Sequence, residues 1–226
     1  AIPANSHNIT YTTEGTGWTY GNSNPTTAEE GATVTFVVNP TAGYSVSVSS
    51  DGPTLTGPNG SNQYTFTMPT KDVQITVEAE PIQYTVTLNK QSGTGGPSYV
   101  TATYAAAMPT ITPPTRTGYT FNGYFDATSG GTKYYDANGN SAKDWNKTAD
   151  ATLHAQWTAN KYTVKFNANG GTGSMSNQSH TYGVEKALTA NAFTRKGYTF
   201  LGWAKSSSAT TATYTDKQTV KNLTAN

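Results

Sequence analysis

One nine-residue stretch decides the fold, and it occurs twice. Residues 116–124 read Arg-Thr-Gly-Tyr-Thr-Phe-Asn-Gly-Tyr, and residues 195–203 read Arg-Lys-Gly-Tyr-Thr-Phe-Leu-Gly-Trp. Side chains alternate between the two faces of a strand, so Tyr119 and Phe121 share one face. Burying such a face contributes about 25 cal/mol per Å² of apolar surface. The stretch therefore predicts a half-buried strand, with Gly123 suited to a bulge or to close approach of another backbone.

The similarity extends upstream of this stretch. Runs of Tyr-Thr-Val begin at Tyr84 and Tyr162, and each is followed at the same offset by Gly-Thr-Gly, at residues 93–95 and 171–173. Repetition at a fixed period is the sequence signature of a tandem array. The two segments are therefore interpreted as copies of one domain.

A looser copy precedes these two. Gly43-Tyr44 stands where the Gly-Tyr-Thr-Phe element would be, and the alternating run over residues 31–38 predicts another strand. We therefore expect three tandem domains. Their predicted bounds are 1–80 for a divergent domain, 81–158 for a complete repeat and 159–226 for a third unit.

Composition supports folded β domains and excludes several classes of partner. Charged residues make up 12% of the chain, with 14 Lys+Arg against 13 Asp+Glu, which argues against binding to nucleic acid or to an anionic membrane surface. The 12% of aromatic residues argues against disorder. No cysteine is present, so disulfides and thiolate metal sites are excluded. No apolar stretch is long enough to span a bilayer.

Helix-favouring sequence is rare, and the best candidate is the run from Ala102 to Met108, which Pro109 would end. Threonine, tyrosine, valine and glycine dominate elsewhere, as is typical of strands joined by tight turns. The predicted fold class is therefore a β-rich α+β fold.

The repeated elements resemble a known family. Residues 84–157 and 162–226 resemble the Listeria–Bacteroides repeat, the type found as the B-repeat of internalin-like surface proteins. The shared elements are Tyr-Thr-Val, the glycine-rich turn, Gly-Tyr-Thr-Phe-x-Gly-aromatic, and the closing Ala-Thr-Leu-His-Ala-Gln-Trp of Ala151 to Trp157. Residues 8–80 resemble a divergent relative, through Gly43-Tyr44 and the Phe-Thr-Met-Pro ending at 66–69.

This resemblance implies small β-grasp-like domains of the kind that occur in tandem in exported bacterial proteins, often between a recognition domain and an anchor. It implies an extracellular, cell-surface location, with signal and anchor outside these residues. No catalytic residues are associated with the repeat, so we expect no enzyme activity and no cofactor. The connections at 80–83 and 158–161 are too short for independent tumbling, so neighbouring units should touch in an elongated arrangement.

The third unit departs from the pattern. It ends at Asn226, which matches Asp150, and so lacks a counterpart of Ala151 to Trp157. Losing a strand from inside a sheet should leave unpaired backbone and an exposed aromatic face. Two explanations are open: the protein continues beyond Asn226, or another molecule supplies the strand. We prefer the first, and expect a monomer.

Motifs for catalysis or metal binding are absent from the sequence. His7, His154 and His180 lack metal-ligand spacing, and no Gly-x-Ser-x-Gly elbow exists. We interpret the three as surface or strand histidines, with His154 pointing outward. The loop 136–140, which begins with Asp136, superficially resembles a calcium loop but lacks the glycine and glutamate of an EF-hand. An Asx-rich turn and a Ca²⁺ site are both open, and the turn is preferred.

Aromatic residues outside the set shared by the repeats are the candidate ligand contacts. These are Trp18, Tyr20, Tyr99, Tyr135 and Trp145. The choice of Tyr135 depends on matching Tyr134 to Tyr214, and Trp145 could instead substitute for Val220 or Leu223.

Two hypotheses of function follow. The first is a non-enzymatic spacer or adhesion stalk, which contacts a host-surface or extracellular-matrix protein or a glycan. The alternative is a carbohydrate-binding module that stacks sugars on these aromatic rings.

Overall fold

The computed structural model describes residues 5–224. By its internal contacts the chain divides into two compact units. The first consists of residues up to 88, 99–110 and 140–153, and the second of 89–98, 111–139 and the residues from 154 onward. The predicted junctions at 80–83 and 158–161 therefore each fall inside one unit.

Seven strands form two sheets in the first repeat. They are β1 (Ser6–Tyr11), β2 (Trp18–Tyr20), β3 (Thr27–Glu29), β4 (Thr33–Pro40), β5 (Tyr44–Ser50), β6 (Gln63–Thr67) and β7 (Val73–Pro81). One sheet has the order β3-β1-β7-β5 and the other β2-β4-β6. Strands β1 and β7 are parallel, with Ile9 opposite Val73, whereas β5 and β7 are antiparallel, with Tyr44 opposite Pro81.

The core of the first repeat follows from the alternation of its strands. In β4 every second side chain is buried, and the aromatic ring at the centre is that of Phe36. This ring stacks on Tyr64 at 5.4 Å between centroids and meets Phe66 edge-on at 6.2 Å. Strand β7 adds Val73 and Ile75 to the same core. The predicted run at 31–38 is therefore a core strand.

Five strands form one sheet in the second repeat. They are β8 (Gln83–Asn89), β9 (Tyr99–Thr103), β10 (Tyr119–Phe125), β11 (Lys133–Tyr135) and β12 (Ala151–Ala159). Their order is β11-β10-β12-β8-β9. Strand β10 runs antiparallel to β12, and its register shifts between Phe121 and Gly123. A Cβ on Gly123, whose φ is 126°, would overlap the carbonyl oxygen of Tyr135, so the bulge and the close approach expected there are both present.

No helix occurs among residues 5–224, so the predicted α+β class is wrong and the expected β-grasp-like domains are not observed. The run from Ala102 to Met108 shows why. Ala102 lies in β9 opposite Tyr84, and Ala105 has a φ of 56°, which a right-handed helix does not allow. Ala102 and Met108 are both buried, so packing outweighs the weak helix propensity of a short run.

Four short strands occur in the third repeat: β13 (Lys161–Val164), β14 (Gln178–Thr181), β15 (Lys186–Ala187) and β16 (Thr219–Val220). They form two two-stranded sheets. Residues 198–202, which match most of β10, form no strand. Tyr198 is 67% exposed and Leu201 84% exposed, whereas Phe121 in β10 is 8% exposed. The exposed aromatic face expected from the sequence is therefore present.

Candidate functional site

The most specific geometry in the chain lies where one repeat passes into the next. At the first junction the Ile82 amide donates to the Gly43 carbonyl at 2.8 Å, and the Tyr104 amide donates to the Ile82 carbonyl at 3.0 Å. The ring of Tyr104 contacts that of Tyr44 edge-on, with 5.5 Å between centroids. A single linker residue thus joins the Gly-Tyr pair of one repeat to a tyrosine of the next.

The second junction repeats this arrangement. The Asn160 amide donates to the Gly118 carbonyl at 2.9 Å, and the Tyr182 amide donates to the Asn160 carbonyl at 2.8 Å. The rings of Tyr119 and Tyr182 meet edge-on at 5.5 Å. The Asn160 side chain also accepts a 2.7 Å hydrogen bond from the hydroxyl of Thr120. Two junctions with unrelated linker residues therefore share one geometry.

Glycine is required at both junctions because a tyrosine ring lies against it. A Cβ built on Gly43 or on Gly118 would come closer than 3.0 Å to the ring of Tyr104 or of Tyr182. Both glycines also have positive φ, 90° and 77°, which side chains rarely adopt. The Gly-Tyr pair is thus a receptor for a tyrosine, a role that the sequence analysis did not identify.

An arginine supports the tyrosine of this receptor. The Arg116 guanidinium lies 3.9 Å from the centroid of the Tyr119 ring, and that of Arg195 lies 4.1 Å from the Tyr198 ring. Each guanidinium also donates to the backbone carbonyl of the residue two places before the Gly-Thr-Gly turn, at 3.3 and 3.2 Å. The cation–π contact fixes the tyrosine against the start of its strand.

The repeats behind these junctions match known sequence families over most of the chain. Residues 84–156 and 162–225 match the Listeria-Bacteroides repeat domain, and residues 7–83 match the Divergent InlB B-repeat domain. The chain belongs to the Listeria-Bacteroides repeat family. It is a tandem array of internalin B-type repeats, as the sequence resemblance implied.

Two curated proteins are similar to parts of this repeat array. Internalin H of Listeria monocytogenes is 40% identical over 94 residues, which are 41% of this chain and 15% of that protein. A protein described as a putative Gly-rich membrane protein, from Evansella cellulosilytica, is 34% identical over 92 residues, or 39% of this chain and 11% of that protein. The matched regions are thus a small part of both relatives.

The five candidate aromatic residues fall in different environments in the repeat array. Trp18 is 4% exposed, and Tyr135 and Trp145 are completely buried. Tyr20 is half-buried, with its ring 4.6 Å from that of Trp18, and burial together with Glu14 raises its pKa to about 12. Tyr99 is 62% exposed. Of the five, only Tyr99 is accessible enough to stack on a ligand in this conformation.

The register corrects the sequence match that singled out Tyr135. Tyr135 lies opposite Tyr124, and Tyr214 lies opposite Trp203 at the corresponding position. Tyr135, and not Tyr134, is therefore the counterpart of Tyr214, so Tyr135 belongs to the shared aromatic set of the repeats. The sequence agrees with this register, because Tyr135 and Tyr214 each lie eleven residues after Tyr124 or Trp203.

The histidines and Asp136 are placed as follows. His180 is 3% exposed in β14, opposite Tyr162. His154 is half-buried, and its Nδ1 lies 3.2 Å from the side-chain nitrogen Nε2 of Gln91. Asp136 accepts a 2.9 Å hydrogen bond from the backbone of Asn138, as in an Asx turn.

Other features of the described residues offer no built catalytic or metal centre. No group of three or more His, Asp or Glu that could hold a metal occurs within residues 5–224. Two open clefts in the third repeat, of about 590 and 410 Å³, are lined by neither His154 nor His180. No helix in the described chain is both long and apolar enough to cross a membrane.

Substituting the receptor glycine should loosen the second junction. Gly118→Ala adds a Cβ where the Tyr182 ring lies, in addition to a backbone strain of about 1–2 kcal/mol. We expect the amides of Asn160 and Tyr182 to exchange with solvent at least tenfold faster, measured by hydrogen-exchange NMR on the whole chain.

Gly197→Ala is the matched control. Gly197 has the same φ of 77°, and nothing lies within 4 Å of its added Cβ. It should carry the backbone strain alone and leave the exchange of Asn160 and Tyr182 unchanged. Equal acceleration by both variants would contradict the role assigned to the ring contact.

His180 should make the stability of the third repeat depend on pH. Burial, and to a smaller extent the Lys186 charge, lower the pKa of His180 below its usual value. His180 is therefore protonated more readily in the unfolded chain than in the folded repeat. The free energy of unfolding should fall as pH decreases below about 6.5. Hydrogen exchange of β13 and β14 amides between pH 5 and 7.5, corrected for intrinsic rates, measures this loss.

His180→Ala should flatten this dependence, because alanine has no side chain that titrates. The repeat should tolerate the change, since alanine occupies the matching position 102 of the second repeat and is buried there. His154→Ala serves as the control and should leave the pH slope in place. A slope that survives His180→Ala would assign the effect to another group.

Proposed function

We propose that the chain is a non-catalytic spacer that presents an adjoining domain away from a bacterial cell. The observation that carries this proposal is the recurrence of one junction geometry at both repeat boundaries. Its contacts join neighbouring repeats through one backbone pathway and a seated tyrosine ring. A chain whose most specific contacts lie between its repeats is suited to holding them in a defined order and orientation.

The energetics of the junction support a coupled rather than a loosely tethered pair. A one-residue linker with both its amide and its carbonyl hydrogen-bonded has little freedom to rotate. Each edge-to-face aromatic pair adds roughly 0.5–1.5 kcal/mol beyond its buried area. A flexible tether would instead be rich in glycine and serine and make no such contacts.

The location and partners of the spacer are inferred from the family and the composition. We propose a location on the bacterial cell surface, which the membership in the Listeria-Bacteroides repeat family and the similarity to Internalin H support. The near-neutral charge favours a host-surface or matrix protein or a glycan over nucleic acid. We propose that the chain itself is monomeric and needs no cofactor.

Distance measurements across the second junction test the spacer role. The chain has no cysteine, so spin labels can be placed at Lys133→Cys and Ser179→Cys, two exposed strand positions in adjacent repeats. Pulsed electron paramagnetic resonance should give one narrow distance distribution. Tyr182→Ala should broaden it, because the ring no longer lies against Gly118.

Tyr99→Ala is the control for that experiment, since Tyr99 is exposed and takes no part in the contacts described for the second junction, and it should leave the distribution narrow. A broad distribution in the otherwise unaltered chain would mean that the repeats reorient freely, and would contradict a spacer that holds its repeats in place.

A carbohydrate-binding module is the second candidate, and the exposure of Tyr99 is what favours it. Tyr99 lies in β9, at the edge of the five-stranded sheet, where a ring can stack on a sugar. A glycan array probed with the whole chain separates the two functions. Reproducible micromolar binding that Tyr99→Ala abolishes would establish the module, whereas the spacer proposal expects none.

A further inference from the structure

One histidine of the third repeat is buried beside the second junction. His180 is 3% exposed in β14, and its Nε2 has no hydrogen-bond partner within residues 5–224. Two residues further along the chain, the ring of Tyr182 lies against Gly118. Alternate side chains of an extended segment share one face, so His180 and Tyr182 project from the same side. A titratable group therefore lies in the segment that makes the junction.

Backbone pairing connects this histidine to the junction. In the ladder of β13 and β14, Tyr162 lies opposite His180. The same ladder continues into the junction, where the Tyr182 amide donates to the Asn160 carbonyl at 2.8 Å. Only four residue pairs hold β14 to β13, so moving His180 out of the core must disturb the whole ladder. The position of His180 is thus coupled to the contact between Tyr182 and Gly118.

The ionisable groups of the neighbouring strands do not favour an imidazolium at this position. They are Lys161, Tyr162 and Lys165 in or beside β13, Glu185 and Lys186 in or beside β15, and Lys221 beside β16. Lys186 donates to the backbone carbonyl just before His180, at 2.8 Å, whereas Glu185 is paired with Lys221 at 3.5 Å. Burial and the Lys186 charge lower the pKa of His180. Because a buried charge without a partner is costly, protonation favours the states in which His180 has left the core.

The first junction has no titratable group at the matching position. Ala102 occupies that place in β9, two residues before Tyr104, and it is completely buried. The position is therefore interior in both repeats. Since the alanine side chain does not titrate, the contact between Tyr104 and Gly43 has no corresponding response to protons. The two junctions share one geometry but differ at this residue.

We propose that protonation of His180 opens the second junction and releases Tyr182 from Gly118, while the first junction stays closed. This inference rests on the spacer function proposed above, because it states under which condition one of the junctions is fixed. Opening takes up one proton, since the imidazole is protonated once it reaches water. The opening constant should therefore increase as pH falls below about 6.5, by at most about tenfold per pH unit for a single group.

Hydrogen exchange measured by NMR on the whole chain, at pH 7.5 and pH 5 and corrected for intrinsic rates, tests the proposal. The opening constant for the amides of Asn160 and Tyr182 should be at least about fivefold larger at pH 5, within the limit of about 30-fold that one group allows. The amides of Ile82 and Tyr104 report on the first junction and should show no such increase. An equal increase at both junctions would overturn the proposal, because acid would then act on every repeat alike.

Substitutions at position 180 assign the effect to the histidine. His180→Ala introduces the residue found at position 102, and His180→Gln keeps a polar side chain that binds no proton. Both should make the exchange of Asn160 and Tyr182 independent of pH. His154→Ala is the matched control, since His154 takes no part in the contacts described for the junction, and it should leave the increase in place. An increase that persists in a folded variant without His180 would overturn the proposal.

The spin-label distances across the second junction, measured at pH 7.5, separate this proposal from the spacer function. At that pH His180 is neutral, so the distribution tests the spacer alone. A narrow distribution at pH 7.5, together with exchange of Asn160 and Tyr182 that does not respond to acid, would retain the spacer and overturn the role of His180.

Discussion

A sheet strand with neighbours on both sides must have every amide and carbonyl paired, and in the first and second repeats the last strand is of this kind. The closing strands β7 and β12 lie inside their sheets, so a repeat becomes complete only when its final residues are in place. A carboxylate marks the start of each one: Asp72 accepts from the Asn8 amide and Asp150 from the Thr85 amide, both at 2.8 Å. Because the closing strand comes last, each repeat spans contacts of high sequence separation.

The same strand also places the next repeat. It runs without a break into the linker residue, Ile82 or Asn160, whose backbone bonds to the glycine of the Gly-Tyr pair. The tyrosine of the following repeat is seated on that glycine in turn. The strand that completes one repeat therefore also positions the next one. The tandem arrangement depends on contacts of the repeats themselves and not on the linker sequence.

Sequence reasoning found the features that depend on local pattern. Alternation predicted the strands around Phe36 and Phe121, and the glycine at 123 predicted a bulge, because both effects act over a few residues. The prediction of a helix from Ala102 to Met108 was wrong, because the burial of both end residues determines the conformation of this segment. Which residues bury them depends on the tertiary fold and not on the local sequence.

The junction could not be predicted in the same way. Tyr104 and Tyr182 recur at matching positions, but the glycines they cover precede them by more than 60 residues, and nothing in the sequence pairs the two. The match of Tyr135 to Tyr214, by contrast, could have been read from the sequence, because each lies eleven residues after its partner, Tyr124 or Trp203. Internal repetition shows that a residue has a role in the repeat, whereas only the register shows which role.

Native-state hydrogen exchange across the second and third repeats tests most directly whether the closing strand completes a repeat. Amides of residues 120–125, paired with β12, should exchange at least about 100-fold more slowly than those of residues 199–202, after correction for intrinsic rates. Equal protection in the two matched segments would contradict the dependence of each repeat on its closing strand.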